Sequence, residues 1–214
     1  MKGFIFDMDG VLVDNHHFHF KAWMDLSKKY SFELNDEIYK KNFNGKTNVD
    51  LFRWIFGNEI SEDRIAKLAF EKENNYRNAF LSSMKPLAGI IDFLVYLNEK
   101  NLKVALGTSA PKSNVDFILD NLGMRKYFHY IIDGQEVKKG KPDPEVYLRC
   151  IDGLMLKASE CVVFEDAILG IEAGNNAGAE VIGVATTHTK EELLPYTNRI
   201  IKDFVGVKEV LNLF

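Results

Sequence analysis

The stretch Gly3-Phe4-Ile5-Phe6-Asp7-Met8-Asp9-Gly10-Val11-Leu12-Val13-Asp14 decides the fold. Its opening run has no polar side to alternate with, so it reads as a strand buried on both faces. The strand ends at Asp7, and Gly10 lets the chain turn tightly behind it. In an open α/β sheet the C-terminal strand ends form the ligand crevice, where Asp7 and Asp9 would project. A solvated acidic turn is the bland alternative. A calcium loop is another and fails, because the positions that need glycine and glutamate, counted from Asp7, hold Leu12 and Phe18.

Outward from this stretch, apolar runs recur at 102–107, 127–132, 161–164 and 180–185, several rich in Val, Ile and Phe. Between them lie helical patterns. Leu87, Ile90, Ile91, Leu94 and Leu97 share one face, and so do Val115, Ile118, Leu119 and Leu122, with Gly123 as a stop. Asp143-Pro144 reads as an N-cap followed by a first-turn proline. Strand–helix alternation of this kind predicts a parallel sheet covered on both faces, an α/β fold. Residues 15–83 break the rhythm. They hold no convincing strand, but they do hold amphipathic stretches such as Phe20, Trp23, Met24 and Ser27, with Lys21, Lys28 and Lys29 toward solvent. A helical block of roughly 70 residues is too long for a βα loop. It is expected to be an inserted helical cap (15–83), with the core formed by 1–14 and 84–214.

Composition narrows the function classes. At 46% hydrophobic and 27% charged, the chain has enough apolar surface to fold as a globular enzyme. A net charge of −4 argues against a nucleic-acid binder. No apolar run approaches the ~20 residues of a membrane span, and Asp7 and Asp9 interrupt any leader-like segment. A cytoplasmic protein with free thiols at Cys150 and Cys161 is the expectation.

Three further signals fall at strand ends. Thr108-Ser109-Ala110 follows an apolar run, where hydroxyls and free N–H groups suit phosphate, although an N-cap role is the simpler reading of the pair alone. In Lys138-Lys139-Gly140-Lys141-Pro142, the first two lysines read as solvated, and Lys141 is the one placed to offset anionic charge. Phe164-Glu165-Asp166 adds two carboxylates at another strand end, which calls for a cation between them and Asp7. Mg²⁺ is the economical choice. The small residues Ala167, Gly170, Gly174 and Ala177 would let the next helix pack closely and fix that loop.

Asp7-x-Asp9-Gly10-Val11, Thr108, Lys141-Pro142, Glu165-Asp166 and the helical block after the first motif together resemble the haloacid dehalogenase-like superfamily. His19-Phe20-Lys21-Ala22-Trp23 also resembles the start of the cap in its β-phosphoglucomutase-like branch. The resemblance implies a Rossmann-like parallel core with a small helical cap. It implies that Asp7 attacks phosphorus and that Asp9 acts as acid and then base. Thr108 and Lys141 would hold the phosphoryl oxygens, and Mg²⁺ would be held by Asp7, the Asp9 carbonyl and Asp166, with Glu165 nearby.

Substrate contacts are expected from Gly10, His19, Gly45, Lys46, Asn48, Arg77, Ser109 and Ala110. The expected partner is a small phosphorylated metabolite bound by a monomer, with no nucleic acid and no membrane. Mutases of the branch grip a second phosphate with cap cations. Here Asn48 and Asn78 stand where arginine and lysine are expected, which favours a phosphatase over a phosphohexomutase, with Lys46 or Arg77 as possible replacements. A regulatory module without turnover is a third reading. It leaves the Asp7–Asp9 pair without a purpose. His16, His17 and His19 are too close along one helix start to share a zinc ion.

Overall fold

The computed structural model describes residues 1–212. Six parallel strands form one sheet: β1 Gly3–Phe6, β2 Lys103–Gly107, β3 Tyr130–Ile132, β4 Cys161–Glu165, β5 Glu180–Val184 and β6 Arg199–Ile201. Their spatial order is β3-β2-β1-β4-β5-β6, the doubly wound order of a Rossmann-like sheet. Successive strands leave β1 in opposite directions, so the crevice opens at the C-terminal ends of β1, β2 and β4. Phe4 pairs in register with Val104 on one side and Val162 on the other.

Alternation along β1 feeds two cores. Phe4 and Phe6 face one side with Phe93, Phe164 and Phe204, and the Phe6 and Phe164 rings stack with centroids 4.8 Å apart. Ile5 faces the other side with Val163, Tyr147 and Ile171. Helix α5 Ile90–Glu99 covers the aromatic face through Phe93 and Leu97, and α6 Lys112–Asn121 does so through Val115, Ile118 and Leu119. Helices α7 Glu145–Leu154 and α8 Ile168–Asn176 cover the opposite face.

Between β1 and α5 lie four helices, α1 His16–Tyr30, α2 Asp36–Asn42, α3 Asn48–Phe56 and α4 Glu62–Phe80. They close around an apolar centre of their own, built on Trp23, Leu26, Phe43, Phe52 and Leu68. Lys21, Lys28 and Lys29 are exposed, in line with the amphipathic reading of α1. The chain is stitched back to the core where Leu87 N–H donates to the Leu12 carbonyl at 2.8 Å.

Several boundaries move from the sequence expectation. The run at 127–132 gives a strand only over Tyr130–Ile132, because Arg125–Tyr127 winds into a short 3₁₀ turn. Strand β6 had no counterpart in the sequence reading: it is three residues long, opens on Arg199 and is only partly buried. Helix α7 starts one residue late. Pro144 is the cap residue, while Asp143 Oδ1 accepts from the Glu145 N–H at 3.0 Å. Two short helices, α9 Lys190–Leu193 and α10 Val207–Val210, complete the described chain.

Candidate active site

Each strand that meets the crevice delivers one polar group. Asp7 follows β1, Thr108 follows β2, and Glu165 ends β4 with Asp166 behind it; Lys141 comes from the loop before α7, next to a cis Lys141–Pro142 bond. Asp7, Asp9, Thr108, Ser109, Ala110, Lys141 and Asp166 line one cleft together with His19, Gly45, Lys46 and Asn48. The cleft is open to solvent on one side. Its two walls meet where Ser109 Oγ donates to the Gly45 carbonyl at 2.8 Å.

The floor is a charge cluster. Lys141 Nζ lies 3.0 Å from Asp7 Oδ1 and also donates to Glu165 Oε1. Burial alone would push Lys141 down, but Asp7 and Glu165 hold it well above the ordinary lysine range. Asp7 is raised well above the carboxylate range, first by burial and then, against Lys141, by the nearby Glu165, Asp166 and Asp9. Asp7, Glu165 and Asp166 offer carboxylate oxygens within 4.8 Å of one another. Three buried, mutually repelling hard-oxygen donors fit a divalent cation such as Mg²⁺. Glu165 also accepts from Tyr147 Oη at 2.8 Å and the Ala167 N–H at 2.8 Å, so both its oxygens are committed. Asp7 and Asp166 are therefore the side chains placed to hold an ion, and Glu165 is the group that aims Lys141. Asp166 does not cap α8, since Ala167 occupies the cap position.

Asp9 faces the other wall. Asn15 Nδ2 donates to its Oδ1 at 2.6 Å, and His19 Nε2 lies 3.3 Å from its Oδ2. Burial would raise Asp9, but His19 and Asn15 hold it far below the usual range. Lys72 Nζ approaches His19 Nδ1 at 2.8 Å. An ammonium can only donate, so Nδ1 is the acceptor and Nε2 carries the proton toward Asp9. Burial, followed by Lys72, lowers His19, which agrees with a neutral ring. Tyr76 stacks on that ring at 3.7 Å and accepts from Asn15 Nδ2 at 2.6 Å. Asn15 makes no cap bond to α1: its Nδ2 donates to Asp9 and Tyr76, while Oδ1, the atom that would accept the cap bond, is buried without a hydrogen-bond partner among the described residues.

Some expected contacts are not made. Gly10 does not line the cleft. Its φ is +76°, and a Cβ there would meet Asp166 Oδ2 at 2.1 Å, so glycine is needed for the turn and for clearance. Arg77 points out of the cleft and donates to Ser113 Oγ at 3.1 Å and Asn114 Oδ1 at 2.8 Å, pinning α4 to α6. Asn78 is exposed. The cation that α4 does send into the cleft is Lys72, which the sequence reading missed. Its signal was present, since Lys72 continues the buried stripe Ile65, Leu68 and Tyr76 at helical spacing. Glu73, Asn114 and His16 also line the cleft. His16 Nε2 lies 2.8 Å from Asp166 Oδ2. Although burial works against it, Asp166 raises His16 to about 9. The histidine triplet diverges, with His17 exposed and His16 and His19 on different carboxylates, so no zinc site forms there. Thr108 does not cap α6, whose cap residue is Pro111.

Residues 4–184 match the haloacid dehalogenase-like hydrolase family, and the chain belongs to it, within the β-phosphoglucomutase-like branch. The chain is 32% identical to the fructose-1-phosphate phosphatase of Escherichia coli strain K12, covering 85% of this chain and 95% of that protein. It is 31% identical to the β-phosphoglucomutase of Bacillus subtilis strain 168, covering 86% and 83%. A solved β-phosphoglucomutase from Clostridium difficile superposes with a TM-score of 0.88 at 28% identity, covering 100% of this chain and 96% of that one. Among the described residues no helix is long and apolar enough to cross a membrane.

Proposed function

We propose that this protein is a Mg²⁺-dependent phosphatase for a small sugar monophosphate, working through a phosphorylated Asp7. Residues 1–14 and 84–214 act as the catalytic core, and 15–83 act as a cap over it. The observation that carries the reading is Asp7 at the floor of the cleft, 3.0 Å from Lys141, with Asp9 two residues on and facing the opposite wall.

Asp7 attacks phosphorus with the oxygen that Lys141 does not hold. The new Asp7–phosphorus bond forms as the bond to the sugar oxygen breaks, and Asp9 gives that oxygen its proton. Asp9 then takes a proton from water as the water attacks phosphorus, which releases phosphate and restores Asp7. The bonds from His19 and Asn15 favour the Asp9 anion needed for this second half, while the charge of an arriving phosphate favours its protonation for the first. Thr108 and Lys141 steady the phosphoryl oxygens. A bound Mg²⁺ held by Asp7 and Asp166, with the Asp9 carbonyl, would cancel repulsion between nucleophile and phosphate.

Relatives of both kinds, phosphatase and mutase, are similar to the chain. The outward turn of Arg77 and the engagement of Asn48 with Glu73 favour hydrolysis. A mutase reading is kept alive by one observation, the buried cation Lys72 on the cleft wall. A phosphate-release screen over sugar monophosphates, with Mg²⁺ and with EDTA, tests the reading beside an assay for interconversion of glucose 1- and 6-phosphate with added bisphosphate. Mg²⁺-dependent release without isomerisation is expected. Isomerisation with little release would overturn it.

A further inference from the structure

Lys72 and Glu73 form a buried ion pair on the cleft wall opposite Asp7, with Nζ 2.9 Å from Oε1 and side chains 4% and 5% exposed. Both oxygens of Glu73 are taken: Asn48 Nδ2 donates to Oε1 at 2.7 Å and Asn114 Nδ2 to Oε2 at 2.6 Å. Burial works against the Glu73 anion, but Lys72 and the Asn48 and Asn114 amides leave it below the ordinary glutamate range. Of the three Lys72 donors, one goes to Glu73 and one to His19. The pair is neutral as a unit, and the amides are fixed by it.

We propose that Glu73 sets the substrate class: by neutralising Lys72 it turns the cap wall into a surface for uncharged hydroxyl groups and excludes a second phosphate. This rests on the reading of Asp7 as phosphoryl acceptor. A distal phosphate reaching for Lys72 would have to displace Glu73 or lie beside its buried carboxylate, and a like charge there is disfavoured. Hydroxyls meet no such obstacle. Asn44 Nδ2, on the same cleft, is buried and has no hydrogen-bond partner among the described residues. Trp23 and Tyr39 complete the lining on this side with apolar surface. The remaining cation on this side, Lys46, is only half-buried, where solvent screening weakens its hold on an anion.

The test compares kcat/KM for glucose 6-phosphate and glucose 1,6-bisphosphate in wild type, Glu73→Gln, the double variant Lys72→Met/Glu73→Gln, and Lys46→Ala. Wild type is expected to favour the monophosphate by about tenfold or more. Glu73→Gln should shift that ratio toward the bisphosphate by about tenfold, chiefly through KM, because it frees one charge-assisted contact. The double variant should return the ratio toward wild type, which a merely structural role would not do. Lys46→Ala should leave the ratio within about twofold. A wild-type preference for the bisphosphate overturns the proposal even if Glu73→Gln does not fold, and so does an unchanged ratio in a folded Glu73→Gln. Release of phosphate from neither ester nor any other sugar phosphate removes the underlying reading, and this one with it.

Discussion

Asp7, Thr108 and Asp166 were legible in the sequence as crevice residues because each sits at or just past the C-terminal end of an apolar run, whereas Lys141, in the loop well beyond β3, stood out through its Gly140 and Pro142 neighbours. Lys72 and Glu73 were not legible. Their partners His19 and Asn114 lie far away in the chain, and a charged pair on a helix reads by default as solvated. Two residue-scale outcomes follow from the site geometry. Asp9→Asn should lower phosphate release by about 10²-fold or more, since it removes a proton carrier; a loss under threefold would remove Asp9 from that role. Asp166→Ala should raise the Mg²⁺ concentration for half-maximal activity by at least about tenfold. An unchanged Mg²⁺ titration would take Asp166 out of the metal site.

At the level of elements, the small face of α8 holds the acidic loop in place. Gly170 packs so close that a Cβ would stand 1.7 Å from Glu165 Oε1. Gly170→Ala should therefore displace Glu165 from Lys141 and cost about 1–3 kcal/mol, visible as a lower Tm together with reduced turnover. A wild-type Tm and rate would show that the loop yields without consequence. Phe93 belongs to a different kind of support, meeting the Phe4, Phe6, Phe164 and Phe204 rings. Phe93→Ala should cost about 3–5 kcal/mol in denaturant unfolding. The β1, β2, β4 and β5 runs were readable because burial on both faces leaves unbroken apolar stretches. Strand β6, short, edge-placed and begun by arginine, leaves no such trace.

Taken whole, the molecule concentrates buried negative charge at one end of its sheet, and its stability should respond to cations there. At a hundredfold excess over its Kd, Mg²⁺ should raise Tm by about 5–10 °C relative to EDTA. Equal melting in both would argue that no ion is held. The two thiols report on the core instead. Cys150 is buried and donates to the Leu106 carbonyl, and burial pushes it far up, while Cys161 is pushed up to about 11. Both should resist thiol reagents in the native protein and react once it is unfolded. Parallel sheet, helical insertion and crevice could all be argued from sequence pattern, but which cap side chains enter the cleft depended on the rotation of α4, which packs against α1, α3 and α6.

The most direct measurement is steady-state phosphate release by Asp7→Asn beside wild type, on the best sugar monophosphate and at saturating Mg²⁺, with melting recorded in metal-free buffer. The expected result is a loss of at least about 10³-fold, with Tm at or above wild type because one of the crowded carboxylates has become neutral. Activity within about tenfold of wild type in a folded Asp7→Asn protein would contradict the nucleophile assignment and the mechanism built on it.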